Sequence, residues 1–175
     1  MEKSVKSSAV SKGVILGVVL SIITIIGYVA YQDLFTKWWL LFVLLFVIVG
    51  LGISSSVKGR KLLGGYISFK EAFTCYLITV AIGTLISTIV GILIFNVVDP
   101  DAAISIKEKS IETTVGFMEN FNVPEEEIQK TVTQMEEQDT FGIGTQVKNW
   151  FWGMLIYIII GLLASLVVKK NEPLH

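Results

Sequence analysis

The sequence predicts an all-α polytopic membrane protein, with four transmembrane helices and an extracytoplasmic helical hairpin between the third and fourth. Three observations carry that expectation. Hydrophobic residues make up 53% of the 175-residue chain and charged residues 17%, with a mean hydropathy of +0.69. A water-soluble domain of this length needs more polar surface. Four stretches contain no charged residue: Gly13–Tyr31, Trp38–Ser56, Ala72–Val98 and Trp150–Val168. At about 1.5 Å of rise per residue, each is long enough to cross a hydrocarbon core of about 30 Å. Finally, most of the basic residues fall at the two termini and the second connection, as the positive-inside rule requires of a four-span chain, although the first connection has Lys37 and the third four lysines. The whole chain, 1–175, reads as one membrane domain that includes an acidic loop at 99–149.

The first run follows Lys3, Lys6 and Lys12, an arrangement shared with signal peptides. It exceeds a usual signal-peptide core and no small-residue cleavage pattern follows, so it is read as a retained helix. In lipid, backbone N–H and C=O groups have no water to bond, so every run must be helical. The second run ends in three serines and leads into Lys58, Arg60, Lys61 and Lys70. These lysines and arginine, the N-terminal lysines and the C-terminal Lys169 and Lys170 share one side in a four-crossing topology. That side is expected to be the cytoplasm, with both termini inside. All four tryptophans, Trp38, Trp39, Trp150 and Trp152, then lie at the outer boundary with Tyr28 and Tyr31, as an aromatic belt would.

The third helix has a legible beginning. Gly64 and Gly65 allow a turn, and Ser68 with Glu71 fits a capping box, in which the hydroxyl and carboxylate satisfy each other's backbone N–H. Lys70 snorkels to the headgroups, and Tyr66, Phe69 and Phe73 belong at the inner interface. The Lys70–Glu71 pair therefore marks a helix start rather than a proton-handling site. The run that follows is longer than one crossing requires, so it is expected to tilt or protrude.

The connection 99–149 holds eleven acidic residues against four lysines. Ile104, Ile111, Val115 and Met118, with Phe121 beyond them, form one helical stripe; Ile128, Val132 and Met135 form a second. A second helix is expected from near Asn122, with Pro124 in its first turn and Glu125 in capping-box register. The two apolar faces are expected to meet each other or rest on the membrane. Phe141-Gly142-Ile143-Gly144 reads as a flexible re-entry. Glu125–Glu127 complement a helix N-terminus, whereas Glu136, Glu137 and Asp139 oppose the dipole at the other end. Their spacing matches no metal-ligand loop, and no metal is expected.

The segment GGYISFKEAF at the start of the third span precedes an acidic loop that opens with Asp99-Pro100 and contains VPEEEIQK and MEEQ. With a last span ending at Lys169-Lys170, this pattern resembles the Bacteroidota four-helix membrane family known as domain of unknown function 4199. The specific part of the likeness lies at Gly64, Gly65, Ile67, Ser68, Phe69, Ala72 and Phe73. The resemblance implies a bacterial cytoplasmic membrane and a periplasmic acidic loop; it brings no activity and no catalytic residue.

Small residues recur at every fourth position in two spans: Ala9, Gly13, Gly17 and Ser21 in the first, Cys75, Thr79, Gly83, Ser87 and Gly91 in the third. The last span adds Gly161 and Ser165. Helices in lipid associate by close packing, so these ridges are expected to face neighbouring helices, including one another. No Asp, Glu, Lys, Arg or His lies within a span, which speaks against an ion or proton route. The polar groups there are Thr24, Thr79, Thr84, Ser87, Thr88, Asn96 and Cys75, with the hydroxyls expected to bond their own helix carbonyls. The two pairs of spans share orientation but no sequence match, so no repeat is read.

These features exclude more functions than they assign. A net charge of −1 gives no nucleic-acid footprint. One cysteine forms no intramolecular disulfide, and neither Cys75 nor the terminal His175 has a catalytic partner. No enzyme, catalytic residue or cofactor is expected. The expected partners are the lipid bilayer and, through the loop, a second copy or another membrane protein. The first functional expectation is a structural or accessory protein. The alternative is a small channel or transporter for an apolar or weakly polar solute, which requires a cavity between helices.

Overall fold

The computed structural model describes residues 2–30 and 32–171, except the side chain of Gln32. Tyr31 of the expected aromatic belt and His175 lie outside the described residues. Six α-helices form: α1 (Lys3–Ala30), α2 (Trp38–Leu62), α3 (Phe69–Leu93), α4 (Pro100–Asn120), α5 (Glu125–Glu137) and α6 (Ile143–Val168). A 3₁₀ turn, Gln32–Thr36, joins α1 to α2, and a π-helical turn, Ile94–Val98, extends α3. No strand forms among the described residues. The helices α1, α2, α3 with its π turn, and α6 are long and apolar enough to cross a membrane. The chain is a multi-pass membrane protein.

Each spanning helix overruns its charge-free run, because a charge at a membrane boundary does not stop a helix. α1 begins at Lys3, where Val5 and Ala9 continue the buried stripe of Gly13, Leu16 and Leu20. α2 continues through Arg60 and Lys61, which suit the negative end of the helix dipole. It then closes in a Schellman arrangement. Gly64 and Gly65 adopt φ of +76° and +101°, and their N–H groups donate to the Lys61 and Arg60 carbonyls at 3.3 and 2.9 Å. The Ser68–Glu71 capping box is present and α3 starts directly after it.

α3 is the central helix, packed along α1, α2 and α6. The small-residue ridges of α1 and α3 do face one another. A Cβ at Gly83 would stand 2.5 Å from Leu16, one at Gly17 2.7 Å from Ile86, and one at Gly13 2.9 Å from Ile82. These are well inside carbon–carbon contact of about 3.5 Å, so each glycine is the slot for a branched side chain opposite. Thr79 bridges three helices: its hydroxyl lies 3.0 Å from the Ala9 carbonyl oxygen and 2.8 Å from the Ser55 hydroxyl. The expectation that span hydroxyls bond their own helix holds for Thr24 and Thr84, but not for Thr79, Ser55 or Ser56.

One end of the bundle is clasped. Ile67 and Lys170 exchange backbone hydrogen bonds at 2.9 and 3.0 Å, and Arg60 donates to the Val168 carbonyl at 3.2 Å. The Lys170 ammonium sits 5.4 Å over the Tyr66 ring.

The other end carries the α4–α5 hairpin. Asp99 caps α4 by accepting from Ala102 N–H at 3.0 Å and accepts the Tyr28 hydroxyl at 2.9 Å. Phe95 meets Tyr28, Phe35 and Phe141 over Ala102, Ala103 and Ile106. Ala102, Ala103 and Ile106 face the bundle, and Ile104 is 56% exposed. Two expectations are corrected here. Asn122 does not cap α5; with φ +54° it ends α4, while Val123 N–H donates to the Met118 carbonyl at 3.1 Å. Phe141 is an anchor rather than a flexible re-entry: its ring packs on Phe95 and its carbonyl accepts from Asn96 at 2.9 Å. Lys107 donates to the Glu136 and Gln138 carbonyls, so the last turn of α5 receives a cation despite its acidic side chains.

Candidate functional site

A cavity of about 920 Å³ opens in the half of the bundle nearest the hairpin. Its origin is a change in residue size along α2. Toward the clasp, α2 meets α3 through Gly52, Ser55, Ser56 and Gly59, and the helices lie close. Toward the hairpin the inward side chains of α2 become Ile48, Leu44 and Leu40, which hold it off. The facing wall of α3 stays small, with Thr84, Ser87 and Thr88. Large residues on one helix opposite small ones on its divergent partner leave space between. α1 closes one side with Leu20, Ile23 and Thr24, and α6 the other with Gln146, Asn149, Trp150, Gly153 and Tyr157.

The floor of the cavity is tightly made. Tyr76 is fully buried, its ring set between Gly52 and Gly161, where added Cβ atoms would stand 2.6 and 2.5 Å away. Leu16, Leu20, Ile48, Val80 and Met154 pack with it. The Tyr76 hydroxyl has no hydrogen-bond partner among the described residues.

Polar groups occur at every depth of the cavity. Ile48, Thr84 and Tyr157 stand nearest the floor, with Thr84 beside Met154. Trp150 Nε1 donates to the Thr84 hydroxyl at 3.0 Å, and Thr84 donates to the Val80 carbonyl at 2.7 Å. Trp150 is thus not a simple belt residue: its N–H is turned inward, while Trp38, Trp39 and Trp152 remain exposed. At the mouth stand Lys37, Trp38, Asn149 and Gln146. Asp33, the acid nearest to Lys37 in sequence, is paired with Lys109. That hydrogen bond, and then the ammonium's charge, hold the Asp33 carboxyl below its ordinary value. Lys37 itself takes part in no ion pair among the described residues.

Of the polar span residues named from the sequence, Thr24, Thr84, Ser87 and Thr88 converge on this cavity. The others do not. Thr79 joins the helices at the closed half, Cys75 is buried beside Gly59, and Asn96 ties the π turn to Phe141. Sequence reasoning missed Lys37, Gln146, Asn149, Gly153 and Tyr157. The α6 members recur at three- and four-residue intervals, a polar–aromatic face that was available to be read. Lys70 and Glu71 stand at the α3 cap, away from the cavity. Among the described residues no three His, Cys, Asp or Glu side chains gather as metal ligands.

A four-helix membrane bundle, clasped at one end and hollow beneath a helical hairpin at the other, is the class this geometry defines. The family model for "Protein of unknown function (DUF4199)" matches residues 12–170, and the chain belongs to that family. No curated protein and no solved structure matches it.

Proposed function

We propose that this is a non-enzymatic protein of the bacterial cytoplasmic membrane that holds an apolar or weakly polar molecule in the cavity under its hairpin. In this reading both termini face the cytoplasm and the hairpin is periplasmic, in keeping with the placement of Lys58, Arg60, Lys61, Lys169 and Lys170. The single observation that carries it is the cavity, near the upper end of the range of small-molecule sites and lined by apolar side chains with a few polar groups. Its closed floor favours a holder or carrier over an open channel, because Tyr76, Gly52 and Gly161 leave no continuous path. The test is native mass spectrometry of the full chain released from mild detergent. A bound small molecule, lost in a Gly153→Leu variant, is the expected result; a bare polypeptide in every preparation refutes it. A reporter inserted after Asp139 checks the orientation and must be active outside the cytoplasm.

A second reading, an accessory role through the hairpin, rests on Phe117 and Phe121 near its tip. Their rings pair at 4.7 Å yet remain 63% and 68% exposed. Cross-linking from position 118 in cells is expected to capture a second copy or another membrane protein; recovery of lipid adducts alone removes this reading.

A further inference from the structure

Two walls give the cavity a measurable depth. Eleven residues separate Ile48 from Lys37 along α2, and eleven separate Tyr157 from Gln146 along α6. At 1.5 Å per residue each corresponds to about 16 Å, close to half of a hydrocarbon core of about 30 Å. The cavity is therefore one leaflet deep. Ile48 and the Tyr157 ring stand at its floor, hydroxyls and an indole line its walls, and amides and a lysine stand at the mouth. A hydrophilic solute would lose its hydration against Leu20, Leu44 and Ile48 with nothing in exchange. An uncharged oil would make no use of the exposed Lys37 ammonium at the mouth. With Asp33 engaged by Lys109, the mouth offers one cation and no free acid among its lining residues.

We propose that the cavity holds one phospholipid of the hairpin-side leaflet, with an acyl chain lying between α2 and α3 down to Ile48 and Tyr157 and the phosphate against Lys37. This rests on the cavity-binding reading above and specifies its occupant. Asn149 offers an amide at glycerol height, beside Gln146, whose own amide donates to the Phe141 carbonyl at 2.6 Å; Ser87 and Thr88 have no partner among the described residues that would keep them from an ester carbonyl.

The experiment uses the full chain with Trp39→Phe and Trp152→Phe, which leaves Trp38 and Trp150, both in the cavity wall. In mild detergent the protein is titrated with phosphatidylglycerol brominated near the end of its chains, and tryptophan quenching is followed. Saturable quenching is expected. Lys37→Ala should raise the half-saturating concentration about fivefold, as one interfacial lysine lost would. Gly153→Leu should abolish saturation. A Cβ there meets only Tyr157, at 3.8 Å, so the larger side chain enters the cavity rather than a packed seam. Ser87→Leu serves as a second filling variant, and thermal unfolding confirms that each variant is folded. Quenching that never saturates, or that ignores both filling variants, overturns the proposal. A brominated fatty acid and a brominated alkane are titrated in parallel. Equal, Lys37-dependent binding of the fatty acid overturns the phospholipid assignment. Saturation by the alkane alone also overturns it but leaves the cavity reading standing, and saturation by no probe removes both.

Discussion

The two halves of the bundle solve helix association in opposite ways. At the clasp half, glycines and hydroxyls let backbones approach: Gly83 takes Leu16, Gly52 and Gly161 take Tyr76, and Thr79 joins α1, α2 and α3. At the hairpin half α1 and α3 stay close through Gly17 and Ile86, while α2 turns the large side chains Leu40, Leu44 and Ile48 toward the cavity, and further order comes from Phe95, Phe141 and Asp99. Lipid gives little drive for apolar surfaces to meet, so closeness requires small residues and their absence leaves room. The difference teaches that residue size along α2 sets where the bundle is close and where it is open.

The contrast can be broken first at its glycines. Gly83→Leu overpacks the α1–α3 seam and is expected to cost about 1–3 kcal/mol or to end monodisperse folding, read as the thermal midpoint in detergent. Gly153→Leu, the same change in the open half, should leave that midpoint almost unmoved. Equal losses would erase the distinction between the halves. Next in size is a gain. Tyr76→Phe keeps the ring between its two glycines and removes a buried hydroxyl that has no partner among the described residues, so stability should rise by about 1 kcal/mol. A fall would mean that the hydroxyl is bonded in the working protein. Thr79→Val deletes the three-helix contact and is expected to cost about 0.6 kcal/mol, the average for such bonds in membrane proteins.

The smallest effect concerns the hairpin's tether. Because Lys109 lowers the Asp33 pKa, the pair's contribution is complete above the unfolded carboxyl value of about 4 and is lost as pH falls through the folded one. Both groups are largely exposed, so the change should be confined to lower amide protection, relative to the intrinsic exchange rate at each pH, in the Gln32–Thr36 turn under acid. Asp33→Asn should show that lower protection at neutral pH and no further loss of it on acidification.

Much of this architecture is legible in the residues. The charge-free runs mark the four spans, the fourfold spacing of Ala9, Gly13 and Gly17 marks a contact ridge, and Ser68-x-x-Glu71 marks a helix start. Each is a local pattern with a local cause. The missed features depend on two distant elements at once. Tyr76 reads as an ordinary apolar residue until Gly52 and Gly161 are brought to its two edges. Trp150 reads as a belt residue until Thr84 is placed beside it. The hydroxyls of the cavity are visible along the chain, but their convergence depends on α2 diverging from α3, which no single helix encodes.

The π turn that extends α3 has a mechanical consequence. Asp99 donates its N–H to the Ile94 carbonyl at 2.8 Å, seats the first turn of α4 and grips the Tyr28 hydroxyl, so three helices share one pivot. Asp99 thus fastens the hairpin to the same two helices, α1 and α3, that carry Thr24, Ser87 and Thr88.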